Sequence, residues 1–274
     1  MENNINLNNN NLNNINLNNI NLNNKKNSIK NRFPELDIIK GIAVIMMVVF
    51  HFYYLYYILG KDFTAINNPF ISNMATISHT IFIIMFGLNF SINYKKNKYK
   101  SDYYKKQLKR FGIYSVIAMA ISAITYTIFP HKFVIFGIFH FFAAALVMAN
   151  LFAGKTKTII GLILFTILNL VIGDTIPSKC YDIPLFCFIS GIGNVKYQSI
   201  DHFPFIQFFL KVLAGMFIGE NLYGIQNRTI DLSQFDTYFK KSTLLKPIAY
   251  LGKHSLSIYI IHWIILYSYV KLTE

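Results

Sequence analysis

A chain of 274 residues that is 54% hydrophobic and 14% charged, with a mean hydropathy of +0.38, has the composition of a membrane protein and excludes an ordinary soluble domain. Its net charge of +14 would suit a nucleic-acid binder, but Lys and Arg gather in alternate loops between apolar runs. That is the positive-inside arrangement, so the expected partner is a lipid bilayer and no nucleic acid is expected. The first residues are polar and hold no short apolar run with a small-residue cleavage site, so insertion would fall to the first spanning helix.

Residues 3–22 are four copies of a five-residue repeat of the form N-N-I-N-L. Four copies are too few to stack into a solenoid with a core, and Asn-rich tracts are compositionally disordered. Residues 1–31 are therefore expected to be a disordered low-complexity tail, and residues 32–274 a transmembrane domain.

The apolar runs predict an all-α bundle of about seven transmembrane helices, at 38–59, 72–93, 111–130, 133–152, 157–173, 203–220 and 247–270. The run 183–193 is short and interrupted by Pro184, and reads as a re-entrant or interfacial piece. Residues 94–110 form the most basic loop, with eight Lys or Arg against Asp102 alone. The loop charges place the N-terminus in the cytoplasm and the C-terminus on the external or luminal side. Cys180 and Cys187, in a predicted external loop, suit either a disulfide or two free thiols, and neither has a partner at metal-ligand spacing.

The first span carries the densest chemistry. A charged collar of Arg32, Glu35, Asp37 and Lys40 leads into an apolar run whose single ionisable group is His51. On a helix, Asp37, Gly41, Val44, Val48 and His51 share one stripe, with Asp37 and His51 roughly 21 Å apart in height. His79, His140 and His262 fall at a similar level in other spans, on the order of 10–13 Å below the outer surface. Histidines at that depth usually face a bundle interior or a water-filled cavity. The plainer role for any one of them is a hydrogen bond to a neighbouring helix, and His79, close to a loop, suits that role best. A partly buried imidazole also suits general-base work near neutral pH. No helix offers two His at i, i+4, so no metal is expected.

The stretch R-F-P-E-L-D-I-I-K-G-I-A-V-I-M-M-V-V-F-H at 32–51 resembles the opening of the heparan-alpha-glucosaminide N-acetyltransferase catalytic-domain family, which shows R-x-x-x-x-D-x-x-R-G followed by Met and a helix-embedded His. F-I-I-M-F-G-L-N-F-S-I at 82–92, F-G-I-F-H-F-F at 136–142 and L-G-K-H-S-L-S-I-Y-I-I-H at 251–262 are similar to later family segments, and H-F-P at 202–204 is a weaker echo. The resemblance implies a multi-pass acyltransferase that takes acetyl from cytosolic acetyl-CoA and delivers it to an amine or hydroxyl, usually of a sugar, on a small-molecule or glycan acceptor on the far side. Under it, His51, His140 and His262 are the candidate catalytic residues, with His51 acting as general base or carrying the acetyl group. Arg32, Asp37 and Lys40 would brace the inner gate, and Lys105, Lys106, Lys109 and Arg110 would meet the CoA phosphates, although positive-inside topology alone also explains that loop. Two departures stand out. Lys40 replaces the family's Arg, and no His lies between Gly60 and Ser78, where eukaryotic lysosomal members carry theirs. The chain is closer to the microbial branch. A transporter or channel with a histidine proton relay, and a non-catalytic membrane protein, are the alternatives.

Overall fold

The long helices begin where the sequence supplies a start. Helix α1 (Pro34–Ile58) has proline in its first turn, where a missing N–H costs no hydrogen bond, and Glu35 and Asp37 there complement the helix dipole. Helix α2 (Pro69–Asn97) repeats the device: the Asn68 side chain accepts the Phe70 N–H at 2.9 Å, and Lys95 and Lys96 lie in the last turn. A computed structural model describes residues 32–60, 65–175, 184–192, 199–225 and 227–272; the Asn-rich tail and Cys180 lie outside these. The chain continues through α3 (Tyr103–Ile128), α4 (Ile138–Leu151), α5 (Lys155–Thr175), α6 (Pro184–Ser190), α7 (Phe205–Leu222), α8 (Ser233–Lys241), α9 (Leu245–Lys253) and α10 (Ser255–Leu272). Among the described residues the architecture is all-helical, with two isolated bridges, Phe136–His202 and Tyr223–Arg228.

Among the described residues, helices α1, α2, α3, α7 and α10 are long and apolar enough to cross a membrane, five against the expected count of about seven. Helix α5 follows the expected span at 157–173, and two other expected spans differ for local reasons. The expected span at 133–152 shrinks to the 14-residue α4. Residues 132–138 are instead clasped to 199–203: Ile200 N–H donates to Lys132 O at 2.9 Å, Phe203 N–H to Phe136 O at 3.0 Å, and Ile138 N–H to the Asp201 carboxylate at 3.0 Å. The expected last span breaks at His254, between α9 and α10. The expected basic loop is mostly helix, since only 98–102 separate α2 from α3. Helix α6 is far too short to cross.

Side-chain pairings fix the direction of each leg. Helices α1 and α2 are antiparallel, with Ser78 Oγ donating to Ala43 O at 2.9 Å while Leu36 packs near Met85 and Leu88. Helices α2 and α7 run parallel, tied by Lys211–Thr80 at 3.0 Å at one level and Lys95–Tyr223 O at 3.0 Å at another. Helix α4 runs the same way as α7, since Phe141 meets Phe205 and Phe152 meets Phe209. Antiparallel to these are α3, through Tyr103–Asn150, and α5, through Asn169–Ile206. Helices α9 and α10 run parallel to α1, so successive legs alternate along the chain.

Close backbone approach depends on glycine. A methyl on Gly87 would strike Val212 O, one on Gly215 would strike Ile84 O, and one on Gly252 would strike the Asp37 carbonyl. Where lipid removes most of the hydrophobic drive, such small-residue contacts carry helix association through packing. The tightest core lies between α4, α5 and α7, where Phe141, Phe209, Val212, Leu213 and Met216 are fully buried. Helix α3 leaves Val116, Met119 and Ile124 exposed, an apolar face of the kind that lipid covers.

Candidate active site along the first and last helices

The opening stripe of α1 packs against α9 and α10, so the first and last sequence motifs form one helix seam. At its lower end Lys40 Nζ lies 2.7 Å and Arg32 Nε 3.6 Å from the Asp37 carboxylate, and Gly252 abuts the Asp37 backbone. Arg32, Asp37 and Lys40 therefore form one cluster whose two cations already share a carboxylate. A second ionic knot lies beside it. Arg228 holds Glu35 at 2.8 and 2.6 Å and Asp236 at 2.7 and 3.1 Å, with Tyr223 Oη donating to Glu35. The Asp236 and Glu35 carboxylates hold the guanidinium pKa above its ordinary value. An open cleft of about 540 Å³, lined by Arg32, Phe33, Asn227, Arg228, Asp231 and Asp236, lies at this end.

At the upper end of the seam His51 Nδ1 and His262 Nε2 are 3.0 Å apart. Their proton positions follow from what each neighbour can do. His262 Nδ1 is 2.7 Å from Tyr259 O, and a carbonyl oxygen only accepts, so Nδ1 carries the proton. In a neutral ring Nε2 of His262 is then an acceptor, and His51 must donate to it through Nδ1–H. The lone pair of the couple is thereby directed to His51 Nε2. His262 is buried and His51 half-buried, with Trp263 and Phe50 rings beside His51.

The other sequence candidates are placed apart from this pair. His140 Nδ1 accepts the Gly137 N–H at 3.3 Å, and its Nε2 lies 3.3 Å from Ser122 Oγ, which itself donates to Val134 O at 2.7 Å. Both ring nitrogens are thus engaged at the start of α4, and the pair is reached from the neighbouring Phe139 by way of Tyr259. His79 is packed edge-on against Phe203 and Phe208. Lys105, Lys106, Lys109 and Arg110 are exposed on the first two turns of α3. Lys106 pairs with Asp102 at 2.6 Å and Arg110 donates to Asn93 at 3.3 Å. Among the described residues no three His, Cys, Asp or Glu side chains gather as a metal site would need.

Asp201 was missed by sequence reasoning. It sits in the clasp before α7, bonded to Ile138 N–H, with Tyr54 and Tyr259 within electrostatic range. Burial pushes its carboxyl pKa up to about 6, against the pull of the Ile138 N–H. The available signal was an acid immediately before H-F-P at the mouth of a span. Tyr259, whose carbonyl anchors His262, could be found only from its spacing of three before that histidine.

Residues 32–264 match the family described as heparan-alpha-glucosaminide N-acetyltransferase, catalytic. No curated protein and no solved structure matches the chain.

Proposed function

Because the chain belongs to the heparan-alpha-glucosaminide N-acetyltransferase catalytic-domain family, we propose that it moves an acetyl group from cytosolic acetyl-CoA to an amine or hydroxyl of a sugar-like acceptor on the opposite membrane face. The observation that carries this reading is the 3.0 Å contact between His51 Nδ1 and His262 Nε2 together with the 2.7 Å contact of His262 Nδ1 with Tyr259 O, from which we infer a lone pair on His51 Nε2. The acceptor nitrogen or oxygen attacks the thioester carbonyl carbon while His51 Nε2 takes its proton. A C–N or C–O bond forms and the C–S bond breaks. The proton then passes from His51 to the departing thiolate, giving CoA as the free thiol. His262 acts as a positioning residue: its Nε2 holds His51 Nδ1–H and stabilises the imidazolium, while Tyr259 O fixes its own ring. His140, with both nitrogens engaged, shapes the start of α4.

The topology fits this use. We take α4 and α5 as crossing together with the five longer helices, so that the basic ends of α2 and α3 face the cytosol. Asp37 then lies near the inner boundary, and His51 roughly 21 Å above it. Exposed Lys105, Lys106, Lys109 and Arg110 offer the donor's phosphates a landing surface, with Lys106 held to Asp102, whereas the less exposed Lys40 is paired to Asp37 together with Arg32.

The test is transfer from labelled acetyl-CoA to a hexosamine by purified protein in nanodiscs. His51→Ala is expected to lose about 10²–10⁴-fold in rate while keeping its thermal transition. Wild-type transfer by that variant would remove His51 from the chemistry.

A further inference from the structure

The segment between α7 and α9 belongs to no span and takes no part in the chemistry above. Its helix, α8, reads S-Q-F-D-T-Y-F-K-K. At about 100° per residue, Phe235, Tyr238 and Phe239 fall on one side, and Ser233, Thr237 and Lys241 on the other. Phe235 and Phe239 stack with ring centroids 6.3 Å apart and are half-buried, so they form the covered edge of the helix. Tyr238 is 65% exposed, and Leu244, just past the helix, 72%. Asp236 accepts from Arg228, which also holds Glu35 in the first turn of α1. That chain of bonds keeps α8 at the level where a span begins, beside the charged foot and within reach of lipid headgroups.

Charge and shape narrow the ligand. Lys240, Lys241 and Lys246 are exposed, and among the described residues none of them forms an ion pair. The nearby acids are engaged: Asp236 with Arg228, and Asp231 with the Ser233 N–H at 2.9 Å. The C-terminal half of α8 therefore carries unmatched positive charge. An open depression of about 440 Å³ runs along the helix, lined by Ser233, Gln234, Thr237, Tyr238 and Lys241. It sets a cation three residues from an exposed phenol ring, on neighbouring positions of the helix surface. A phospholipid matches both, with an anion for Lys241 and acyl chain for Tyr238 and Leu244. Free phosphate would use the lysine and leave the two apolar groups uncovered.

We propose that this depression is a headgroup site for an anionic phospholipid, with α8 lying in the plane of the membrane interface. Lys241 meets the phosphate, Lys240 and Lys246 attract neighbouring headgroups, and Tyr238 and Leu244 reach toward the acyl chains. Nothing in this site depends on acetyl transfer.

The experiment follows hydrogen exchange over residues 233–241 of the full-length protein in nanodiscs of phosphatidylcholine, with or without phosphatidylserine. Phosphatidylserine should slow exchange about tenfold in wild type. Replacing Lys240, Lys241 and Lys246 together by Gln should cut that effect below about twofold, and salt near about 1 M should erase it in wild type. Tyr238→Asp, at an exposed position, should speed exchange about tenfold in both lipids. Equal exchange of wild type in the two lipids would overturn the site. So would an unchanged phosphatidylserine effect in the triple-Gln variant, or no effect of Tyr238→Asp. Inorganic phosphate added to phosphatidylcholine discs should protect little; protection equal to that from phosphatidylserine would make this a free-phosphate site and end the lipid assignment. Protection that rises with protein concentration in neutral detergent would give the surface to a second copy of the chain, with the same consequence. Should the triple-Gln variant fail to fold, the salt dependence of wild type decides.

Discussion

The two ends of the α1 seam are built on opposite rules. At the lower end charge is abundant and fully matched: Asp37 is shared by Lys40 and Arg32, and Arg228 ties Glu35 to Asp236. Gly252 lets two helix backbones touch there. At the upper end the polar groups are few, and one valence is left over, the His51 Nε2 lone pair. The lower end spends its chemistry on holding position, and the upper end keeps one group unspent. The foot fixes the height and rotation of α1, and the Met47 backbone and the Phe50 and Trp263 rings hold His51 where it meets His262.

That contrast can be broken from either side, and the largest effect after loss of His51 itself belongs to its partner. His262→Leu should lower kcat on the order of 10–100-fold with little change in KM. His262→Gln, whose side-chain oxygen can still accept from His51 Nδ1–H, should recover part of the loss. Equal damage in both variants would mean that orienting His51 is not what His262 does.

At the foot, Gly252→Ala and Gly41→Ala drive a methyl into the Asp37 and Ile248 carbonyls, and each should cost about 1–3 kcal/mol in detergent unfolding. Gly112 is the control. It lies in α3 with open space around it, so Gly112→Ala should be neutral or stabilising by up to ~1 kcal/mol. A loss at Gly112 as large as that at Gly252 would show that helix geometry, rather than backbone contact, is being measured.

The smallest effect concerns Asp201. Its folded pKa of about 6 lies above the ordinary 3.8, so the neutral acid's contribution is complete below about 3.8 and is lost as pH rises through about 6. Wild-type stability should fall by roughly 1–2 kcal/mol across that window, a figure kept below the full shift because Asp201 as a residue is only half-buried. Asp201→Asn should flatten the dependence, and a profile unchanged by the substitution would place the titrating group elsewhere.

Much of this organisation was legible in the sequence, and what was not has physical reasons. Hydropathy marked α1, α2, α3, α7 and α10, because a bilayer demands long apolar runs whatever surrounds them. It overextended the spans at 133–152 and 247–270, because it does not register that Phe136 bonds Phe203 across the fold or that the helix breaks at His254. The stripe from Asp37 to His51 was visible as helical spacing, and His262 as a deep histidine. Their mutual contact was not, since it joins residues 211 apart. His140 shared their nominal depth but was drawn off by Ser122 and Gly137, neighbours that depth alone does not reveal. Asp201 carried no motif, and its significance lies wholly in what surrounds it.

The parallel pairing of α1 with α9 and α10 also bears on how the protein is made. A ribosome releases α1 into the bilayer long before α10 exists, so a half-synthesised chain holds His51 in the bilayer without the helix that carries its partner. The couple is the last part of the bundle to come together, and any truncation before α10 leaves a stranded imidazole for quality-control proteases to find.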